Sequence, residues 1–318
     1  MKHTILAFAF VTLATPAMAQ QPSAALRLPR AAVEGHEHHG QPAQAAGAAG
    51  QQPPAQPQAV TPPDKMDESR PPGTDAFVKI ALETSPRHHE WVDIKMNDGT
   101  IVKSFVVFPE SKDRTGVVIV IHENRGLNDW ARSVADQLAE DGFIAIAPDL
   151  LSGKGPGGGN TDSIPPDQAT RAIGQLTNDE VNKRLDAVRE YAIQMPPGNG
   201  RVGMVGFCWG GGKVFQYAAH RPGLNAGVVY YGSAPAPALL ERIVTPILGL
   251  FGEQDARVNT TINAALPILN KDREILKAHM FRGAGHGFLR QQFGREANLK
   301  ASEDAWPLTI RFLREHLK

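Results

Sequence analysis

The sequence predicts an α/β fold: a mostly parallel central sheet with an antiparallel N-terminal hairpin and helices on both faces. Three observations carry this. Short, continuous apolar runs recur from Val117 onward, as expected of strands buried on both sides. Helical periodicity falls between them, and alternation of that kind implies parallel strands joined by crossover helices. Upstream, Asn97-Asp98-Gly99-Thr100 separates two strand-like runs, and its Asn and Gly favour the positive backbone angles of a tight turn.

The elements follow in order. Trp91 to Met96 and Ile101 to Phe108 are the hairpin strands. The buried strands are Val117 to Ile121, Phe143 to Ala147, Val202 to Val205, Ala226 to Tyr231, Ile247 to Phe251 and roughly Ile275 to Phe281. Val181, Leu185, Val188, Ala192 and Met195 recur at helical spacing, as do Trp306, Ile310, Leu313 and Leu317. At 318 residues with 42% hydrophobic content, the chain is long enough for a sizeable core.

Its N-terminal quarter reads differently. Met1-Lys2-His3, the apolar run Ile5 to Ala14 and Ala17-Met18-Ala19 have the order of a secretory signal, 1–19, cleaved before Gln20. Residues 20–75 are rich in Pro, Gln, Ala and Gly, the composition of a disordered linker, and 76–318 form the globular domain. Within the linker, His36-Glu37-His38-His39 reads as a solvated cluster, because a mobile segment offers no surrounding structure to fix a metal's geometry. The expected compartment is the bacterial periplasm, with no membrane span once the signal is removed. There a single cysteine, Cys208, has no partner with which to scramble. One cysteine excludes an intrachain disulfide framework and multi-cysteine metal sites. Equal numbers of basic and acidic residues, 33 of each, leave no overall basic field for nucleic acid.

The most informative stretch is Arg201 to Lys213, RVGMVGFCWGGGK. A buried strand runs into Gly206-Phe207-Cys208-Trp209-Gly210 and then a helix, which is a nucleophile elbow with Cys in place of Ser. Such a turn leaves no room for side chains beside the nucleophile. It also sets the thiol at a helix N-terminus, where the dipole is expected to favour a thiolate. The alternative is a structural glycine-rich turn carrying an inert cysteine. A nucleophile needs a base and an orienter. Asp255, in Phe251-Gly252-Glu253-Gln254-Asp255, and His286, in Gly283-Ala284-Gly285-His286-Gly287-Phe288, follow successive strands in the chain order that this kind of site requires. Both lie where loops leave the C-terminal edge of a parallel sheet.

At these residues the chain, from Trp91 to Lys318, resembles the dienelactone hydrolase family of α/β-hydrolases. The matching stretches are Val120-Ile121-His122-Glu123-Asn124-Arg125-Gly126-Leu127-Asn128, Ala147-Pro148-Asp149-Leu150-Leu151, the elbow with Gly211, Tyr230-Tyr231-Gly232, Gly252-Glu253-Gln254-Asp255 and Gly283-Ala284-Gly285-His286. The resemblance implies Cys208 as nucleophile, His286 as base and Asp255 as its orienter. It also implies that Glu123 holds the resting thiol and helps to deprotonate it when substrate arrives; a surface acid paired with Arg125 is the alternative. By the same analogy the backbone N–H groups of Asn124 and Trp209 face a substrate carbonyl. Arg290, Arg171 and Tyr231 are the implied substrate contacts, with the arginines meeting a carboxylate. Gly287 departs from the founding enzyme, which carries a serine there.

The expected activity is therefore cleavage of a small ester or lactone through an acyl-enzyme, with no cofactor and no metal. A general carboxylesterase or thioesterase is the alternative enzyme. A thiol redox-sensing or binding module, and a purely structural partner protein, are the alternatives outside catalysis.

Overall fold

Period-two alternation divides the sheet into two faces. In the computed structural model, which describes residues 72–318, Val117, Ile119 and Ile121 join one hydrophobic cluster while Val118 and Val120 join the other. Ile144 and Ile146 separate in the same way from Ala145 and Ala147. A strand buried on both sides needs cover on both sides, and the helices supply it.

The strands are β1 (His89–Lys95), β2 (Ile101–Val107), β3 (Thr115–Ile121), β4 (Ile144–Pro148), β5 (Gly198–Phe207), β6 (Ala226–Tyr230), β7 (Ile247–Gly252) and β8 (Leu276–Phe281). They form one sheet in the order β1-β2-β4-β3-β5-β6-β7-β8. β1, β2 and β4 pair antiparallel, and every pairing from β4 through β3 to β8 is parallel. The helices are α1 (Asp75–Thr84), α2 (Asp129–Glu140), α3 (Pro166–Gln175), α4 (Asn178–Gln194), α5 (Trp209–His220), α6 (Pro237–Leu240), α7 (Ala256–Leu269) and α8 (Glu296–Leu317). α1, α2 and α8 cover the face of Val118, whereas α3, α4, α5 and α7 cover that of Ile119.

The β1–β2 turn closes as its sequence predicts. Gly99 has φ 84°, the Met96 carbonyl accepts its N–H at 3.0 Å, and Asp98 Oδ1 accepts from Thr100 N–H at 2.9 Å. The expected helix stripes are also buried. Val181, Leu185, Val188 and Ala192 lie inside on α4, and Trp306, Ile310, Leu313 and Leu317 on α8.

One strand differs from expectation. β8 is an edge strand, not one buried on both faces: Lys277 and Met280 are exposed, and only Leu276 is fully inside. Its apolar letters resemble those of β7, but an edge position leaves one side open to water, where Lys277 is at home.

The expected signal segment 1–19, the Pro/Gln/Ala-rich stretch through residue 71 and the His36–His39 cluster lie outside the described residues. Among the described residues, no helix is long and apolar enough to cross a membrane.

Candidate active site

Five loops leave the same edge of the sheet and bring five side chains together: Glu123 after β3, Cys208 after β5, Tyr231 after β6, Asp255 after β7 and His286 after β8. The turn between β5 and α5 is tight. Cys208 has φ 54° and ψ −114°, a conformation that costs an L-residue roughly 1–3 kcal/mol and persists only where its surroundings impose it. The surroundings do. A Cβ on Gly206 would lie 2.3 Å from the Gly210 carbonyl oxygen, and one on Gly210 would lie 2.4 Å from the carbonyl oxygens of both Ile121 and His122. The Tyr230 carbonyl accepts the Cys208 N–H at 3.0 Å, which pins the turn to β6.

Above this turn the side chains form a line. His286 Nε2 lies 3.1 Å from Cys208 Sγ, and His286 Nδ1 lies 2.5 Å from Asp255 Oδ2. An ionised carboxylate only accepts, so Nδ1 carries the proton and Nε2 turns its lone pair toward the thiol. Asp255 is fixed as the cap of α7, its Oδ1 accepting from Val258 N–H at 3.4 Å. The Tyr231 ring meets the His286 ring edge-on at 5.2 Å. This array can carry a proton from sulfur to imidazole while the carboxylate supports the resulting charge.

The helix N-terminus does not win the thiol. Burial pushes Cys208 up to about 11, and the Glu123 carboxylate pushes the same way. The Trp209 N–H and the Arg257 charge pull back, but more weakly. The pull of the helix end toward a thiolate is therefore outweighed, because a desolvated sulfur beside a carboxylate costs more than the helix end returns.

Glu123 is buried, with 7% exposure, which disposes of the surface-acid reading. Its Oε2 accepts from Arg290 Nε at 2.8 Å. Burial raises its carboxyl above the usual range, and Arg290 opposes that rise. Arg290, expected to meet a substrate carboxylate, thus already meets one of the protein's own. Arg171 is a plain correction: it is exposed on α3, whose inward stripe is Ala169 and Ile173, and it is absent from the cavity wall. Gly287, where the founding enzyme of the expected family has serine, has φ 73°, a left-handed conformation that favours glycine.

The thiol opens into a cavity of about 450 Å³ whose wall includes Asn124, Cys208, Trp209 and Tyr231. Two cations also line it, Lys213 from α5 and Arg257 from α7, and none of its lining residues is acidic. Lys213 Nζ donates to Asn178 Oδ1 at 2.7 Å and Gln216 Oε1 at 3.2 Å, and burial pulls its pKa down. Arg257 donates to Ser233 Oγ at 3.2 Å. Neither cation was singled out by sequence reading. The signal was their place near the start of the helices that follow the cysteine and aspartate motifs.

The dienelactone hydrolase family model matches residues 102–317, more than half of the chain. The chain belongs to the dienelactone hydrolase family. Its relatives include a Saccharolobus solfataricus protein named "Putative carboxymethylenebutenolidase", 30% identical over 249 residues that span 69% of this chain and 95% of that one. Among solved structures, a Klebsiella pneumoniae "Putative Dienelactone Hydrolase" has a TM-score of 0.64 at 23% identity, covering 72% of this chain and 98% of its own. The Pyrococcus horikoshii acylaminoacyl peptidase has a TM-score of 0.59 at 15% identity, covering 77% of this chain and 44% of the peptidase. The α/β-hydrolase fold is thus shared well beyond the dienelactone hydrolases, while this chain is a hydrolase of that narrower family.

Proposed function

We propose that this dienelactone hydrolase family member cleaves a small carboxylic ester or lactone, with Cys208 as nucleophile, His286 as general base and acid, and Asp255 as the group that orients His286. The observation that carries the reading is the continuous line from Sγ through both imidazole nitrogens to Asp255, at 3.1 and 2.5 Å. A redox sensor has no use for such a line.

With a thiol at about 11, no thiolate is stored at neutral pH. The proton leaves as the sulfur attacks: His286 Nε2 takes it while Sγ bonds to the carbonyl carbon. The carbonyl electrons move onto oxygen, and the N–H groups of Asn124 and Trp209 donate hydrogen bonds to that oxyanion. Collapse breaks the bond to the leaving alkoxide, which takes the proton from His286; in a lactone the freed alcohol stays on the acyl chain. Water then attacks the thioester, His286 again takes a proton, and the carboxylic acid departs with the thiol restored. Glu123 helps to keep the resting sulfur protonated, which also protects a lone cysteine from oxidation, since oxidants attack the thiolate rather than the thiol.

The cavity sets the substrate's charge. Lys213 and Arg257 stand there without an acidic neighbour in the wall, so a substrate bearing a carboxylate or similar anionic group is favoured over a neutral one. This role passes to them from Arg290, which is held by Glu123. Residues 1–19 are proposed to export the chain to the periplasm, and N-terminal sequencing of the mature protein should begin at Gln20.

The test is turnover of a small ester and a dienelactone by the mature chain and by Cys208→Ala. Hydrolysis should vanish in the variant. Equal rates in both proteins would remove Cys208 from the reaction, and faster turnover of neutral than anionic esters would restore the general carboxylesterase or thioesterase reading.

A further inference from the structure

His122 ends β3's loop-ward run without contacting the thiol, His286 or the cavity, and it is wholly buried. A buried imidazole in an apolar sheet edge is costly unless both nitrogens are satisfied. Both are. Nδ1 lies 2.8 Å from the Glu123 carbonyl oxygen, and Nε2 lies 3.3 Å from the Leu150 N–H. A carbonyl only accepts and an N–H only donates, so the ring is neutral, with its proton on Nδ1.

The carbonyl it grips belongs to the peptide that joins Glu123 to Asn124. A trans peptide is planar, and its C=O and N–H point in opposite directions. Holding the Glu123 oxygen against the His122 ring therefore turns the Asn124 N–H away from that ring, on the residue that lines the cavity. Gly126 N–H donates to the same oxygen at 3.4 Å, so a flip of this peptide would break two hydrogen bonds. Asn124 N–H itself has no acceptor among the described residues.

The same ring reaches the second donor. It lies parallel to the Trp209 indole, with centroids 5.7 Å apart and planes 9° apart. Trp209 opens α5, and its N–H, which a helix's first turn leaves without an intrahelical acceptor, is the one that acts on the Cys208 sulfur. Gly210 packs its Cα side directly against the His122 carbonyl, closer than any Cβ would permit. Leu150, held through Nε2, belongs to the loop after β4. One side chain thus joins the β3 loop, the β4 loop and the start of α5.

We propose that His122 is a positioning residue that fixes both oxyanion donors, aiming the Asn124 N–H through the Glu123 carbonyl and holding the first residue of α5 through its stack on Trp209. This rests on the hydrolase reading given above, and its own contribution is a preset oxyanion hole. Donors held in place before reaction need no reorganisation as charge develops, which is where their value lies.

The experiment compares wild type, His122→Leu and His122→Asn in the mature chain. Each is assayed for steady-state turnover of an ester that wild type hydrolyses, for alkylation of Cys208 by iodoacetamide, and for melting temperature. His122→Leu should lower kcat by at least about tenfold, a part of what losing one oxyanion donor costs, with KM within about twofold and the alkylation rate unchanged. His122→Asn, whose amide can still donate to the Glu123 carbonyl, should recover a large share of kcat even if its melting temperature is no higher than that of His122→Leu. A kcat within about twofold of wild type in His122→Leu would overturn the proposal. So would alkylation falling in step with kcat, or Asn performing no better than Leu.

A ¹⁵N spectrum of the wild-type imidazoles tests the same idea without turnover. It should show His122 neutral and protonated on Nδ1; protonation on Nε2 would overturn the clamp. Absence of Cys208-dependent hydrolysis with the Nδ1–H form present would instead sink the hydrolase reading and leave the clamp's geometry standing.

Discussion

The two sides of the site are built on different terms. On the sheet side, Cys208, Asp255 and His286 stand on loops one residue to a few residues beyond the strands β5, β7 and β8, and backbone holds them: a φ of 54° at Cys208, glycines pressed against carbonyls, a carboxylate that also caps a helix. On the helix side, Lys213 and Arg257 reach the cavity on long, flexible stems from the first two turns of α5 and the first turn of α7. The reacting atoms need placement to within fractions of an ångström, and backbone provides it. A charge that selects substrates works over a longer range and tolerates a flexible stem.

That contrast predicts unequal losses. The largest falls on the sheet side: His286→Ala should lower kcat by about 10³-fold or more, while Asp255→Asn leaves a folded protein with a mis-set imidazole and a large but smaller loss. Steady-state kinetics on one ester rank them. On the helix side the change is one of preference. Lys213→Met combined with Arg257→Ala should raise KM for anionic esters by about tenfold or more and leave neutral esters within about twofold, and a uniform change for both would blur the distinction between the two sides.

A smaller effect is expected at Glu123. Its charge is the second cause, after burial, of the raised Cys208 thiol. Glu123→Gln keeps an acceptor for Arg290 but removes the charge, so the thiol's pKa should fall and iodoacetamide should alkylate Cys208 several-fold faster at pH 8. A slower reaction would mean that the carboxylate aids the thiolate at rest.

The smallest effect concerns stability. Burial holds the His122 imidazole below its ordinary 6.5, with the Asp149 carboxylate opposing that shift. The unfolded chain thus takes up a proton near pH 6.5 that the folded chain refuses. Stability from this residue is present above 6.5 and declines as pH falls below it, at up to about 1.4 kcal/mol per pH unit. Urea melts between pH 7.5 and 5.5 should show a flatter decline in His122→Asn than in wild type.

Much of the sheet side was legible in the sequence, and the reason is local. A glycine two residues either side of a cysteine, between a buried strand and a helix, encodes a turn whose sterics involve only nearby backbone. Asp255 and His286 were legible because each follows a strand at the same sheet edge. What escaped depends on long-range partners. Nothing near Arg290 announces that its guanidinium meets a carboxylate 167 residues away, so a substrate contact was the natural expectation. β8 read as an interior strand because apolar letters do not say whether a ninth strand follows. The helix end that favours a thiolate is visible in sequence and the resemblance placed Glu123 at the resting thiol, but the burial that outweighs the helix end is a tertiary fact. His122 was visible in its motif, but the ring's grip on a carbonyl and on Trp209 exists only once β3, β4 and α5 are brought together.

The most direct test of the central claim is to trap the intermediate. The mature protein is mixed with an activated ester, quenched in acid within the first turnover, and its intact mass and peptides are measured. The account predicts a mass increase equal to one acyl group, located on the peptide that contains Cys208 and absent from Cys208→Ala. An acyl group on another residue, or full ester turnover by Cys208→Ala, would contradict it.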